Sequence, residues 1–185
     1  MEENLKQLPS SLIKVVLFGP ESTGKTTLAK ALAEHYNTQW IPEFAREYLE
    51  EKLTNTGKIC APEDIYPIAL GQIKLENQGI KKANKFVFCD TTLLSTQVYA
   101  EAYFNGWCDE RVILANTKNS YDIYFLTDID VPWKADALRD KPNQRQEMFD
   151  KFKEALQHRN LTYTILRGSN ITRMNCVIEQ INQYV

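Results

Sequence analysis

The segment Gly19-Pro20-Glu21-Ser22-Thr23-Gly24-Lys25-Thr26 narrows most what this chain can fold into. Two glycines bracket four residues and Lys-Thr follows, the G-x-x-x-x-G-K-[ST] pattern of a phosphate-binding loop. Each part has a physical reason. Glycine lets the backbone curl so that successive N–H groups point inward at phosphate oxygens. A helix opening at Gly24 adds the positive end of its dipole. Lys25 is placed to reach the β- and γ-phosphates, and the Thr26 hydroxyl to hold Mg²⁺. The flanks agree with this reading: the unbroken apolar run Val15-Val16-Leu17-Phe18 precedes the loop, and the helical pattern LAKALAEHY follows it. Residues Glu21, Ser22, Thr23, Gly24, Lys25, Thr26 and Thr27 are therefore the expected binding site for ATP.

The rest of the chain alternates in the same way. Strands are predicted over 13–18, 38–41, 86–90, 121–127 and 161–166, and helices over 23–36, 43–53, 62–83, 92–103, 110–119, 144–159 and 171–184. Pro67 and Gly71 are expected to kink or split the third helix. Residues 1–11 read as a polar lead-in. Such alternation predicts a three-layer α/β/α fold with a five-stranded parallel sheet, one domain spanning residues 1–185. In such sheets ligands bind beyond the carboxyl ends of the strands. The loops beginning at Gly19, Pro42, Asp90, Asp128 and Gly168 are the ones to search.

Asp90 ends an apolar strand. There it joins Thr26 as a metal residue or caps the next helix, and Asp90 itself, rather than Glu43, is the alternative base for an acceptor hydroxyl. Glu43 follows the second strand. It either orients and deprotonates an acceptor hydroxyl or complements a helix dipole, with Arg46 beside it. The stretch 128–145 has acids, prolines and arginines but no apolar period. Arg139 and Arg145 there suggest a lid that closes over the nucleotide, and Trp133 argues against a merely solvated loop. Trp40, Phe44, Tyr66, Tyr99 and Tyr103 are candidates for a ring-stacking pocket.

Composition excludes several classes. Net charge is −2 with no basic run, so no nucleic-acid partner is expected. No apolar stretch reaches membrane-span length, and the N-terminus lacks a signal-peptide core, so a cytoplasmic protein without membrane partners is expected. Cys60, Cys89, Cys108 and Cys176 are widely spaced and read as free thiols. His35 and His158 lie in charge-rich helical surroundings, and no hydrolase triad assembles around them.

The strings GPESTGKTTLAKALA, IPEFAREYLEEKL, FCDTTLLSTQVY and YDIYFLTDIDVPWKADALRD, with Arg145-Gln146 following, resemble the ribosylnicotinamide kinase domain of the bacterial NadR family. The resemblance runs from about Ile13 to the C-terminus. It implies ATP-dependent phosphorylation of the 5′-hydroxyl of nicotinamide riboside, giving nicotinamide mononucleotide for NAD synthesis, with a lidded core like that of nucleoside monophosphate kinases. The helix-turn-helix and nucleotidyltransferase parts of full-length members are not expected within these 185 residues. The chain reads Asp90-Thr91-Thr92 where the family often has D-T-D, Pro42 where some members have an aromatic, and Ala135 where an acid is common. Two alternatives stand beside this reading: a kinase for another nucleoside or coenzyme precursor, and a nucleotide-dependent regulatory ATPase.

Overall fold

The computed structural model describes residues 5–135, 138 and 142–184. Its strands are β1 (Ile13–Phe18), β2 (Gln39–Ile41), β3 (Phe86–Cys89), β4 (Ile123–Thr127) and β5 (Tyr163–Leu166). They form one parallel sheet in the order β2-β3-β1-β4-β5. The apolar run of β1 explains its central place, since both of its faces are covered. Val15 and Leu17 enter one core while Val16 and Phe18 enter the other.

Among the described residues the helices are α1 (Lys25–His35), α2 (Phe44–Thr56), α3 (Ile65–Ile80), α4 (Leu93–Tyr103), α5 (Glu110–Lys118), α6 (Arg145–His158) and α7 (Asn170–Tyr184). Leu28 and Leu32 of α1 and Val177 and Ile181 of α7 seal one face of the sheet. Leu94 and Val98 of α4, with Phe149, Phe152 and Leu156 of α6, seal the other. The predicted three-layer α/β/α arrangement with five parallel strands is the one found.

Register fixes where the loops emerge. Ile41 and Val16 both pair with Cys89, and Phe18 pairs with Leu126. Pro42, Asp90, Gly19 and Thr127 therefore lie together at one edge of the sheet. Gly19 has no substitute there, because its φ is 138° and a Cβ would meet Thr127 Oγ1 at 2.6 Å.

Two local expectations change. The third predicted helix is neither kinked nor split at Gly71; a 3-10 turn at Pro62–Asp64 leads into α3, which runs unbroken to Ile80. Pro67 falls in the first turn, where its missing N–H costs nothing. Gly71 is there for packing: a Cβ would stand 2.1 Å from the Phe44 ring. The lead-in is also not simply polar. Leu5 and Gln7 are buried. Gln7 Nε2 donates to Glu76 (2.9 Å), and Gln7 Oε1 accepts from Lys14 Nζ (2.9 Å) and the Ser120 N–H (3.1 Å). These are bonds to distant residues, which leave no periodic signature in the sequence.

Candidate active site

The phosphate loop is pre-shaped by its own backbone. Ser22 sits at φ 57° and Gly24 at φ 84°, left-handed turns that aim consecutive amides to one side. The Thr23 side chain is fully buried, its hydroxyl 2.9 Å from the Pro20 carbonyl and 2.7 Å from the Thr127 hydroxyl. Lys25 Nζ spans the loop and donates to the Pro20 carbonyl at 2.7 Å. α1 starts at Lys25, so the loop feeds a helix N-terminus as the motif requires.

The Thr26 hydroxyl donates to Asp90 Oδ2 at 2.5 Å. Asp90 is 2% exposed, and its other oxygen, Oδ1, is buried with no partner among the described residues. Burial raises its pKa, while Lys25, the Thr26 hydroxyl and Lys30 pull it back. A hydroxyl, a carboxylate and a buried acceptor oxygen suit Mg²⁺, which takes few protein oxygens and shares the rest of its shell with water and phosphates. The arrangement does not resemble a protein-only metal cage. No group of three His, Cys, Asp or Glu side chains converges among the described residues.

A cavity of about 710 Å³ extends from this loop. Its phosphate end is lined by Glu21 through Thr27 and by Asp90, Lys134 and Arg173. The same cavity is also lined by Glu43, Arg46, Tyr99, Tyr103 and Phe104, with the Tyr99 hydroxyl bonded to the Glu21 backbone. A space of this size holds a nucleotide-sized ligand. Glu43 is the residue before α2, and Gln72, a buried side chain on α3, brackets it. Gln72 Oε1 accepts from the Phe44 N–H at 2.9 Å, and Gln72 Nε2 donates to the Pro42 carbonyl at 3.2 Å. Burial raises the Tyr99 hydroxyl pKa, and the carboxylates of Glu43 and Glu21 add to that rise, which places both acids near this ring. Arg46 pairs with Glu50 at 3.0 Å. On the same wall the Cys60 thiol is pushed to about 11, chiefly by burial and then by the Asp64 charge, so it stays a neutral packing group.

Of the five aromatic candidates, Tyr99 and Tyr103 reach the cavity. Trp40 lies under Lys30, Phe44 against Tyr48, and Tyr66 under the Arg111 guanidinium, 3.5 Å from its centre. Phe104 and Ile59 line the cavity without having been anticipated. Phe104 follows the last turn of α4 and is in phase with Ala100, so helical phasing from Tyr99 and Tyr103 was the available signal. Ile59 sits in a loop and gives no periodic signal.

The lid arginines fare differently. Arg139 lies outside the described residues. Arg145 is not among the residues lining the main cavity. It sits in a recess beside it with Pro20, Glu21, Trp133 and Met148. Its guanidinium donates to the Val131 carbonyl (2.9 Å) and, more weakly, to the Ser22 carbonyl (3.4 Å), and lies 5.6 Å from the Trp133 ring centre. The Lys134 N–H donates to Ser22 Oγ at 2.8 Å. The described part of the predicted lid is thus bonded to the phosphate loop at Ser22, and Val131, Pro132, Lys134 and Leu138 line the cavity with it. Asn170, in the segment after β5, also lines the nucleotide end.

A family model described as an AAA domain matches residues 14–173. The chain belongs to that family. It is 33% identical over 125 residues to the trifunctional NAD biosynthesis/regulator protein NadR of Salmonella typhimurium, covering 68% of this chain and 30% of that protein. The resemblance to NadR drawn from the sequence strings therefore holds. The chain spans about a third of the length of the curated NadR proteins it matches. In three dimensions it is similar to a NadR protein solved in complex with NR, with TM-score 0.76, 24% identity and coverage of 94% of this chain and 50% of that one. A deoxyadenosine kinase from M. mycoides shares the fold at TM-score 0.66 and 15% identity, covering 92% of this chain and 100% of that one. The architecture is the P-loop kinase-like fold expected. No helix among the described residues is long and apolar enough to cross a membrane.

Proposed function

We propose that this chain transfers the γ-phosphoryl group of Mg·ATP to the 5′-hydroxyl of nicotinamide riboside, giving nicotinamide mononucleotide and ADP. One observation carries the reading: a single cavity of about 710 Å³ is lined by the phosphate loop and Asp90, which Thr26 bonds, and also by Glu43, Arg46 and Tyr103. A nucleotide-dependent switch that phosphorylates nothing has no need of an acid and a ring on the wall of its nucleotide cavity. The relationship to NadR proteins supports the choice of nucleoside.

The chemistry follows from the residues. The loop amides from Glu21 to Thr27 and the Lys25 ammonium bind the phosphates, and Lys25 leaves the Pro20 carbonyl to do so. Thr26 and Asp90 would hold Mg²⁺, which would supply positive charge against the phosphates. Glu43 accepts a hydrogen bond from the acceptor hydroxyl and takes its proton as the oxygen attacks phosphorus and the bond to the β,γ-bridging oxygen breaks. Asp90 is less suited to that role because Oδ2 is already engaged by Thr26. Tyr99 and Tyr103 offer ring faces for a planar base. The segment 128–145 serves as the lid, with Arg139 and Arg145 as its cations, and excludes water from the transfer.

A coupled ADP-release assay over a nucleoside panel tests this. Nicotinamide riboside is expected to give the highest kcat/KM. Robust turnover of another nucleoside with none of nicotinamide riboside would refute the substrate while keeping the kinase. Slow ATP hydrolysis indifferent to every acceptor would refute both.

A further inference from the structure

Arg173 on α7 is 2% exposed, yet no step above uses it. Its guanidinium reaches three backbone or side-chain groups from two other segments. Nη1 donates to the Thr23 carbonyl at 2.5 Å, in the phosphate loop. Nη2 donates to the Asp128 carbonyl at 3.0 Å and pairs with the Asp130 carboxylate, both just past the end of β4. The other Asp130 oxygen accepts the Gly168 N–H at 2.6 Å. One buried cation thus binds the phosphate loop and the root of the segment that carries Trp133 and Lys134, while Asp130 ties that root to the turn before α7.

The geometry of the peptide makes this more than a fastening. In a trans peptide the C=O of one residue and the N–H of the next point in opposite directions. Drawing the Thr23 carbonyl onto Arg173 turns the Gly24 N–H to the other side of the loop, and Gly24 is a cavity-lining residue held at φ 84°. The guanidinium is planar and rigid, so its two arms cannot move independently. A displacement of the Thr23 carbonyl would therefore pull on Asp128 and Asp130 through the same group.

We propose that Arg173 is a positioning residue of the nucleotide site: one arm aims the Gly24 amide at the phosphates, and the other couples loop occupancy to the root of the lid. The proposal rests on reading the phosphate loop as a nucleotide site. It concerns affinity for the nucleotide and transmission to the lid, not the acceptor.

The test uses the full chain with Trp40→Phe and Trp107→Phe, so that Trp133 alone reports, and Mg·ADP as the probe. In that background Mg·ADP is expected to change Trp133 emission. Arg173→Met is expected to raise the Mg·ADP Kd about tenfold or more, as loss of a charged hydrogen bond implies, and to abolish the Trp133 response. Arg173→Lys, which keeps the charge but not the fork, is expected to restore part of the affinity without the response. Asp130→Asn leaves the Thr23 bond in place. Its expected result is near-wild-type Mg·ADP affinity with a diminished Trp133 response, and this split separates coupling from general loss of stability. If Arg173→Met does not fold, the Lys and Asn variants decide. A full Trp133 response in both of those, or none in the parent despite bound Mg·ADP, overturns the proposal. A parent that binds no Mg·ADP refutes the nucleotide reading instead.

Discussion

The Thr26 hydroxyl donates to Asp90 Oδ2 across 2.5 Å, joining residues 64 apart at the ends of two neighbouring strands. β1 and β3 are paired in register with Val16 opposite Cys89, so the loop after one strand and the residue after the other meet because of the ladder. The second carboxylate oxygen, buried and unpartnered among the described residues, completes an oxygen set suited to a divalent cation.

Asp90→Asn is therefore expected to lower kcat by roughly 10²–10³, the range for removing one electrostatic contact to developing charge. Coupled ADP release under saturating Mg·ATP and acceptor measures it. A loss below tenfold would detach Asp90 from the metal role.

Gln72 gives a different expectation. Its amide touches the backbone on both sides of Glu43 while being buried away from any ligand. Gln72→Leu leaves the Phe44 N–H and the Pro42 carbonyl without that partner, at a cost of about 1–3 kcal/mol in stability. The acceptor KM is expected to rise several-fold, with Mg·ADP affinity unchanged. Equal losses at both ligands would show that Gln72 supports the fold alone.

Gly71→Ala tests the α2–α3 contact. The added Cβ would meet the Phe44 ring at 2.1 Å, so the ring must move, and any displacement passed to α2 reaches Glu43 beside it. Overpacking of this kind costs about 1–3 kcal/mol. Thermal unfolding should show a lowered Tm, and the acceptor kcat/KM should fall beyond what the stability loss explains.

Much of this was legible in the sequence, for a physical reason. Gly19, Gly24, Lys25, Thr26 and Asp90 act through short-range geometry at strand ends, and strand ends can be read from apolar runs. The place of Glu43 beside the cavity was legible in the same way. What was not legible is held by bonds between distant side chains and backbone. Gln72 looks like any polar residue on a helix until α2 is packed against it. Arg173 acts on Thr23, 150 residues away. Arg145 bonds the carbonyls of Ser22 and Val131, contacts that no local pattern encodes.

The far end of the sheet supplies a pH test. Glu76 accepts from Gln7 Nε2 and from the Tyr121 hydroxyl, both at 2.9 Å. Burial pushes its carboxyl from 4.5 up to about 7, against those bonds and the charge of Lys14. The folded chain therefore holds this proton more tightly than the unfolded one. The group's contribution to stability is full below pH 4.5 and is lost as pH rises through about 7. Glu76→Gln removes the titration, so the variant's stability relative to the natural chain should climb across that window by up to roughly 3 kcal/mol, then level off. Denaturant unfolding from pH 4.5 to 8 measures it. Parallel curves would contradict the assignment.

The most direct measurement is identification of the product. The chain is incubated with Mg·ATP and nicotinamide riboside and followed by phosphorus NMR and mass spectrometry. The expected result is one nicotinamide mononucleotide, phosphorylated at the 5′-oxygen, for each ADP formed, and no such product from the Lys25→Ala variant. ADP with inorganic phosphate in equal amount, and no phosphorylated nucleoside, would contradict the central claim.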